Sequence, residues 1–285
     1  MTEYLLGLGA AKAGTTLLYN LLYKDEQFNV GKRKEIHYFD ETPQPTREEY
    51  DALFKRPGGI KLDISPSYMY FYGVFKTIVE LLPTDSFKSV ILLRDPVERA
   101  ISHYRMARRK GYEKLTFEKA LAAEPERIAS GWQGYKRNSY MVRGLYSNQL
   151  QTVFSLVPRE SVKIFLFEDF VKDQQSVVDE ITDWLGLKRI VISPKSANVG
   201  VDVKSANLSY AIRVMCDKAP GSLKPYCRRV ERLVLKLNTD RSGMYKHISP
   251  QTRQMLVEYY LDDVRKLRDE YGIDVSKWKN FNLIV

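Results

Sequence analysis

Cysteine and histidine are scarce in this chain of 285 residues. Two cysteines, Cys216 and Cys227, exclude a disulfide scaffold and leave room for one local bridge at most. The three histidines, His37, His103 and His247, stand far apart, and no metal-ligand spacing includes them or the cysteines, so no metal site is expected. No apolar stretch approaches the roughly 18 residues that cross a bilayer. No signal-peptide pattern opens the chain, and its first apolar run starts near Tyr4. The expectation is a cytoplasmic protein, or a soluble domain of a longer targeted one. Internal repeats and low-complexity linkers are also missing.

Positive charge, by contrast, is in excess. Lys and Arg number 45 against 35 Asp and Glu, a net charge of +10. That balance fits anionic partners such as a nucleotide, an acidic glycan, nucleic acid or a membrane surface. The aromatics do not alternate with basic residues as a stacking platform would require, so nucleic acid is not expected. A hydrophobic content of 44% and a charged content of 28% suit a globular protein with a substantial core.

Apolar or alternating runs over 3–8, 60–65, 88–94 and 162–168 read as strands. Helical patterns over 16–24, 73–82, 97–110, 146–156 and 173–186 separate them. Asp95-Pro96-Val97-Glu98 has the composition of a helix start, and a last helix runs from Ser249-Pro250 to about Tyr271, where Gly272 ends it. The alternation predicts an α/β fold, a P-loop-like three-layer α/β/α arrangement around a mainly parallel sheet. Residues 1–285 are read as one domain, with 187–248 as loops plus one or two helices, a flap or helical insertion.

The first run, Tyr4 to Leu8, breaks at Gly9 into a Gly/Ala-rich turn, and Thr15 and Thr16 then open a helical pattern. Strand, glycine-rich turn and helix point backbone N–H groups and a positive helix end at a phosphate. Gly9 and Gly14 keep the glycine spacing of a nucleotide-triphosphate loop, but Thr15 stands where that loop has lysine. The basic residue is Lys12, inside the turn. An ordinary strand-to-helix turn is the alternative.

Three other segments carry chemistry. In Lys34-Glu-Ile-His-Tyr-Phe-Asp40, the side chains of Glu35, His37 and Asp40 bunch just after the first helix, where a carboxylate or imidazole near a phosphate loop takes a proton. A solvated polar loop is the alternative. Arg94 ends a buried strand, where open α/β sheets bind ligands, and Ser102 follows about two turns into the next helix. Arginine and hydroxyl suit one phosphate; equally, Arg94 pairs with Asp95 or Glu98. The strand Gly59 to Ile64 ends in a Ser-Pro turn that brings Asp63, Ser65 and Tyr68 to the same sheet edge.

Taken together, these segments resemble the sulfotransferases that use 3′-phosphoadenosine 5′-phosphosulfate (PAPS), in their glycosaminoglycan-type and bacterial branch. The resemblance implies a catalytic Lys12 and donor contacts from Ala13, Gly14, Thr15, Thr16 and Leu17. It implies 3′-phosphate binding by Arg94 and Ser102, and a late cofactor loop whose counterpart here, Asn198 to Ser205, offers Lys204 and Ser205. It makes Glu35 the general base and sets Glu35, His37 and Asp40 along the acceptor cleft; His37, with an ordinary pKa of about 6.5, is the rival base, and Asp63, Ser65 and Tyr68, at the same sheet edge, are expected to contact the acceptor too. Arg143-Gly-Leu-Tyr146 and the ending Ser249-Pro, Asp263-Val-Arg and Trp278 continue it. The implied reaction moves a sulfuryl group from PAPS to a hydroxyl or amine of a glycan or small metabolite, leaving adenosine 3′,5′-bisphosphate (PAP) and needing no metal. Two positions depart. The heparan 3-O-type enzymes carry arginine where Thr16 stands and lysine where Ile64 stands. Other readings at this point are a nucleotide kinase or NTPase, and a non-catalytic binder of anionic polymers.

Overall fold

A computed structural model describes residues 2–195, 202–240 and 248–282. Two compact units divide the chain: Met1–Asp95 with Tyr146–Asn198 and Asp263–Val285, and Pro96–Leu145 with Val199–Asp262.

The first unit holds a five-stranded sheet: β1 (Tyr4–Gly9), β2 (Phe28–Val30), β3 (Ile60–Ile64), β4 (Phe87–Leu93) and β5 (Val162–Leu166). Its order is β2-β3-β1-β4-β5, and every pairing is parallel. Parallel neighbours need crossover connections, which lay helices on both faces of the sheet. All six positions of β1 are therefore buried, which explains its unbroken apolar character. After β1 the chain moves toward β2 and β3; after β3 it crosses to the other side of β1. The order thus reverses between β1 and β4, and a ligand crevice opens outside the carboxyl ends of such a pair.

Four strands coincide with the apolar runs of the sequence to within two residues at each end. The exception to that length is the last: β5 stops at Leu166, and Phe167–Lys172 is a short helix with Glu168 and Asp169 in its first turn. Strand β2 was not anticipated, because three residues carry no period. The predicted helices appear as Thr15–Leu22, Tyr72–Leu81, Pro96–Arg109, Tyr146–Leu156, Gln174–Leu185 and Pro250–Tyr271. Gly272 follows the last of these with a φ of 67°, the left-handed conformation that ends helices.

The second unit contains the helix Pro96–Arg109, three short helices between Phe117 and Asn138, and a helical hairpin, Ala206–Lys218 and Lys224–Leu237. An antiparallel pair, Asp202–Val203 with Thr239–Asp240, closes the base of that hairpin. Cys216 and Cys227 are not bridged: Cys216 is buried and its thiol donates to the Cys227 carbonyl at 3.1 Å. Among the described residues, no helix is long and apolar enough to cross a membrane.

Close strand contact in the sheet depends on Gly7, which pairs with Ile64. A Cβ there would lie 2.7 Å from Ile64 Cγ2, in a strand pair with no spare volume. Gly7→Ala is expected to lower stability by about 1–3 kcal/mol. Urea unfolding checks this, through a lower midpoint at unchanged m-value.

Candidate active site

The helix Thr15–Leu22 begins at Gly14, whose φ is 91°, and no side chain caps it. The N–H groups of Leu17 and Leu18 turn back to the Gly14 carbonyl at 2.8 and 3.1 Å. The first N–H groups of a helix have no intrahelical acceptor, so this end offers donors and a positive dipole to an anion. Glycine is required at 14 on two counts. The left-handed φ disfavours a side chain, and a Cβ would sit 2.9 Å from the Phe167 ring. Lys12 is also left-handed, with φ 78°, and so is His37, with φ 53°. They are the only non-glycine residues with positive φ among those described. Such a conformation costs about 1–3 kcal/mol and persists where the surroundings enforce it, often at functional sites.

Arg94 stands just beyond the carboxyl end of β4, across the switch point from the β1 loop. Its Nη1 donates to the Lys12 carbonyl at 3.1 Å, and its guanidinium lies 4.6 Å from the Phe167 ring centroid. The Tyr146 hydroxyl donates to the Arg94 carbonyl at 3.0 Å. The two phosphate-type motifs of the sequence are thus joined directly, and Phe167 serves both by packing against Gly14 and under Arg94.

A charged cluster adjoins the same helix end. Lys34 Nζ donates to Thr16 Oγ1 at 2.6 Å and to Glu35 Oε1 at 2.7 Å. Glu35 Oε2 is 3.4 Å from His37 Nε2, and His37 Nδ1 is 3.0 Å from Asp40 Oδ2. Burial resists charge on Glu35, but the hydrogen bonds and charges of His37 and Lys34 outweigh it and bring its pKa down to about 2. Burial likewise disfavours the imidazolium of His37. Asp40 and Glu35, one on each ring nitrogen, reverse that and push its pKa up to about 9. At neutral pH the pair is therefore a carboxylate and an imidazolium.

Asp63, Ser65 and Tyr68 do meet at one sheet edge, and all three are wholly buried. Asp63 accepts hydroxyl bonds from Ser65 at 2.7 Å, Tyr68 at 2.8 Å and Tyr50 at 3.0 Å. Ser65 Oγ in turn accepts the His37 N–H at 3.0 Å, and the Tyr68 hydroxyl accepts the Tyr38 N–H at 3.1 Å. The network holds the left-handed turn at His37 from beneath.

A profile of the sulfotransferase domain matches residues 4–198, more than half of the chain. The chain belongs to the sulfotransferase family. Mouse heparan sulfate glucosamine 3-O-sulfotransferase 3B1 is 26% identical over 276 residues, 94% of this chain and 63% of that protein. Its human counterpart is 27% identical over 229 residues, 77% of this chain and 53% of that protein. The chain therefore spans between half and two thirds of the length of these curated relatives. A sulfotransferase crystal structure from Alicyclobacillus acidocaldarius shares the fold, with a TM-score of 0.70 at 23% identity, covering 98% of this chain and 99% of that one.

In this sulfotransferase-family protein, Lys12 to Leu17, Arg94, Glu35, His37, Asp40, Asp63, Ser65 and Tyr68 all lie in the first unit. Ser102 is a half-buried position of the helix Pro96–Arg109 in the second. Ser205 caps the helix Ala206–Lys218 by accepting the Leu208 N–H at 3.2 Å, and Lys204 beside it is exposed. Residues 198–201 of the expected cofactor loop lie outside the described residues. Sequence reasoning gave no role to Lys34, Phe167 or Tyr50. The Lys34-Glu35 doublet was visible, but the return of Lys34 to Thr16 is a tertiary contact with no local signal.

The cluster has a pH signature. His37, raised from 6.5 to about 9, adds stability that is complete below 6.5 and lost as pH rises through 9. Glu35, lowered from 4.5 to about 2, adds stability that is complete above 4.5 and lost as pH falls through 2. Both contributions are whole between pH 4.5 and 6.5. An NMR titration of the His37 imidazole should show a midpoint near 9, moving down toward 6.5 in Glu35→Gln.

Proposed function

We propose that this protein transfers a sulfuryl group from PAPS to a hydroxyl of a glycan-type acceptor. The observation that carries the reading is Lys34, whose ammonium bridges the first turn of the anion-binding helix and the Glu35 carboxylate. An anion site and a proton acceptor are thereby linked through one side chain, as an in-line transfer demands. The family match favours sulfuryl over phosphoryl transfer, and the glycan class follows from the relatives, which are named for heparan sulfate glucosamine.

The residues present fit the donor. The uncapped helix end, the left-handed turn at Gly14 against the Phe167 ring and the enforced turn at Lys12 suit a phosphosulfate. When bound, PAPS supplies the sulfuryl group and a 5′-phosphate leaving group. Lys12, with the helix N–H groups and Thr15 and Thr16, provides positive charge and donors where charge develops on leaving. Arg94 holds the 3′-phosphate; the family motif assigns Ser102, Lys204 and Ser205 to the same nucleotide.

Glu35 is the general base. It is ionised across the neutral range, and its Oε2 is the more loosely engaged oxygen, 3.4 Å from His37 against 2.7 Å for Oε1 from Lys34. His37 is unsuited to the task at neutral pH, because it already carries its proton and both nitrogens face carboxylates. Its part is to orient Glu35. Asp63, Ser65 and Tyr68 position that segment from the core.

Titration calorimetry with PAP, beside ADP and with EDTA present, tests the donor site. Metal-independent PAP binding is expected, weakened roughly ten- to hundredfold in Arg94→Ala, in line with loss of charge-assisted hydrogen bonds. A preference for ADP with magnesium would refute the reading. With PAPS and a glycan acceptor, Glu35→Gln should keep PAP affinity and lose about 10²–10⁴ in kcat. Normal turnover by that variant would remove Glu35 from the base role.

A further inference from the structure

The helix Lys224–Leu237 is built inside out. An amphipathic helix in a globular unit normally buries its apolar stripe and exposes its charges. Here the one buried side chain of the helix is Glu231. Glu231 accepts from Arg213 at 3.0 Å and from Arg228 at 2.8 Å, and Arg228 also reaches Asp217 at 2.8 Å. This polar network fastens the helix to its hairpin partner, Ala206–Lys218. Val234 and Leu235 are half-buried, but five other apolar side chains, one of them on the N-cap residue Leu223, face solvent. Leu223, Tyr226, Val230, Leu233 and Leu237 are 52%, 70%, 46%, 60% and 76% exposed. At about 100° per residue their spacing gathers them on one stripe, which at 1.5 Å per residue runs for about 20 Å. The partner helix adds exposed Leu208 and Met215.

We propose that this stripe docks on an anionic lipid surface. The charge pattern selects that occupant. The helix carries five cations, Lys224, Arg228, Arg229, Arg232 and Lys236, and a single acid, Glu231, which is buried. Its outward surface is therefore apolar and cationic, with no acidic side chain. Arg229, Arg232 and Lys236 fall on the arc adjoining the stripe, at the level where lipid headgroups lie when the apolar face enters the acyl boundary. Tyr226 suits the same depth, being apolar in body and polar at its tip. The hairpin lies in the plane of the surface and does not cross it. The proposal does not rest on the sulfuryl-transfer reading.

Flotation of the full chain with vesicles tests it. Vesicles of phosphatidylcholine and phosphatidylglycerol in equal parts should carry the protein, vesicles of phosphatidylcholine alone should not, and high salt should release it. Two paired variants separate the contributions. Leu233→Glu with Leu237→Glu, and Arg229→Glu with Arg232→Glu, should each reduce partitioning by roughly tenfold or more. All four positions are exposed, and unchanged circular-dichroism melting confirms that each variant folds. Failure of the native chain to float with anionic vesicles overturns the proposal. Flotation that survives the leucine changes overturns it too, since that is adsorption by charge alone. So does a solution dimer, seen by ultracentrifugation, that the leucine changes convert to monomer, because a second copy would then be the occupant.

Discussion

The left-handed backbone at Gly14, closed by the Phe167 ring, is the constraint on which the candidate site depends. It lets a strand at the centre of the sheet turn into a helix within five residues and leaves that helix uncapped. The strand order does the rest. Because β1 and β4 are neighbours and their onward connections diverge, the loop after one and the arginine after the other come within a hydrogen bond. Phe167, at the end of β5, completes the set. Three strand ends converge on one helix N-terminus, as parallel sheets with a switch point favour.

The second feature is how the Lys34-to-Asp40 segment is secured. Its outer side is held by ion pairs among Lys34, Glu35, His37 and Asp40, and its inner side by the Ser65 and Tyr68 hydroxyls, which accept its backbone N–H groups and donate to Asp63. The two departures from the heparan-type pattern look different in this setting. Ile64 is a core residue packed over Gly7. Thr16 receives the ammonium of Lys34, so a cation stands where the resembled enzymes have arginine, although it comes from elsewhere in the chain.

Much of the fold was legible because parallel strands buried on both faces are continuous apolar runs, and β1, β3, β4 and β5 each show one. The three-residue β2 and the short helices Tyr38–Glu41 and Arg47–Asp51 are set by tertiary contacts, so no period announces them. In the site, motif order singled out Lys12, Arg94 and the Glu35-to-Asp40 segment. What the sequence did not disclose was direction. Nothing in the string Asp63 to Tyr68 says that these side chains point into the core, or that Lys34 turns back to Thr16. Within 187–248, read as loops plus one or two helices, the described residues hold a helical hairpin whose second helix, Lys224–Leu237, turns much of its apolar face to solvent.

The quartet Lys34, Glu35, His37 and Asp40 alternates in sign, and with His37 protonated it sums to zero. A chain with ten surplus positive charges thus keeps this segment electrically balanced. The field of such an alternating row cancels within a few ångströms, well inside the roughly 8 Å screening length of physiological salt. The quartet neither attracts nor repels an anion from afar. Any long-range attraction of anions falls to cations elsewhere on the protein, and salt acts on that attraction while leaving the pairing of Glu35 with Lys34 and His37 almost untouched.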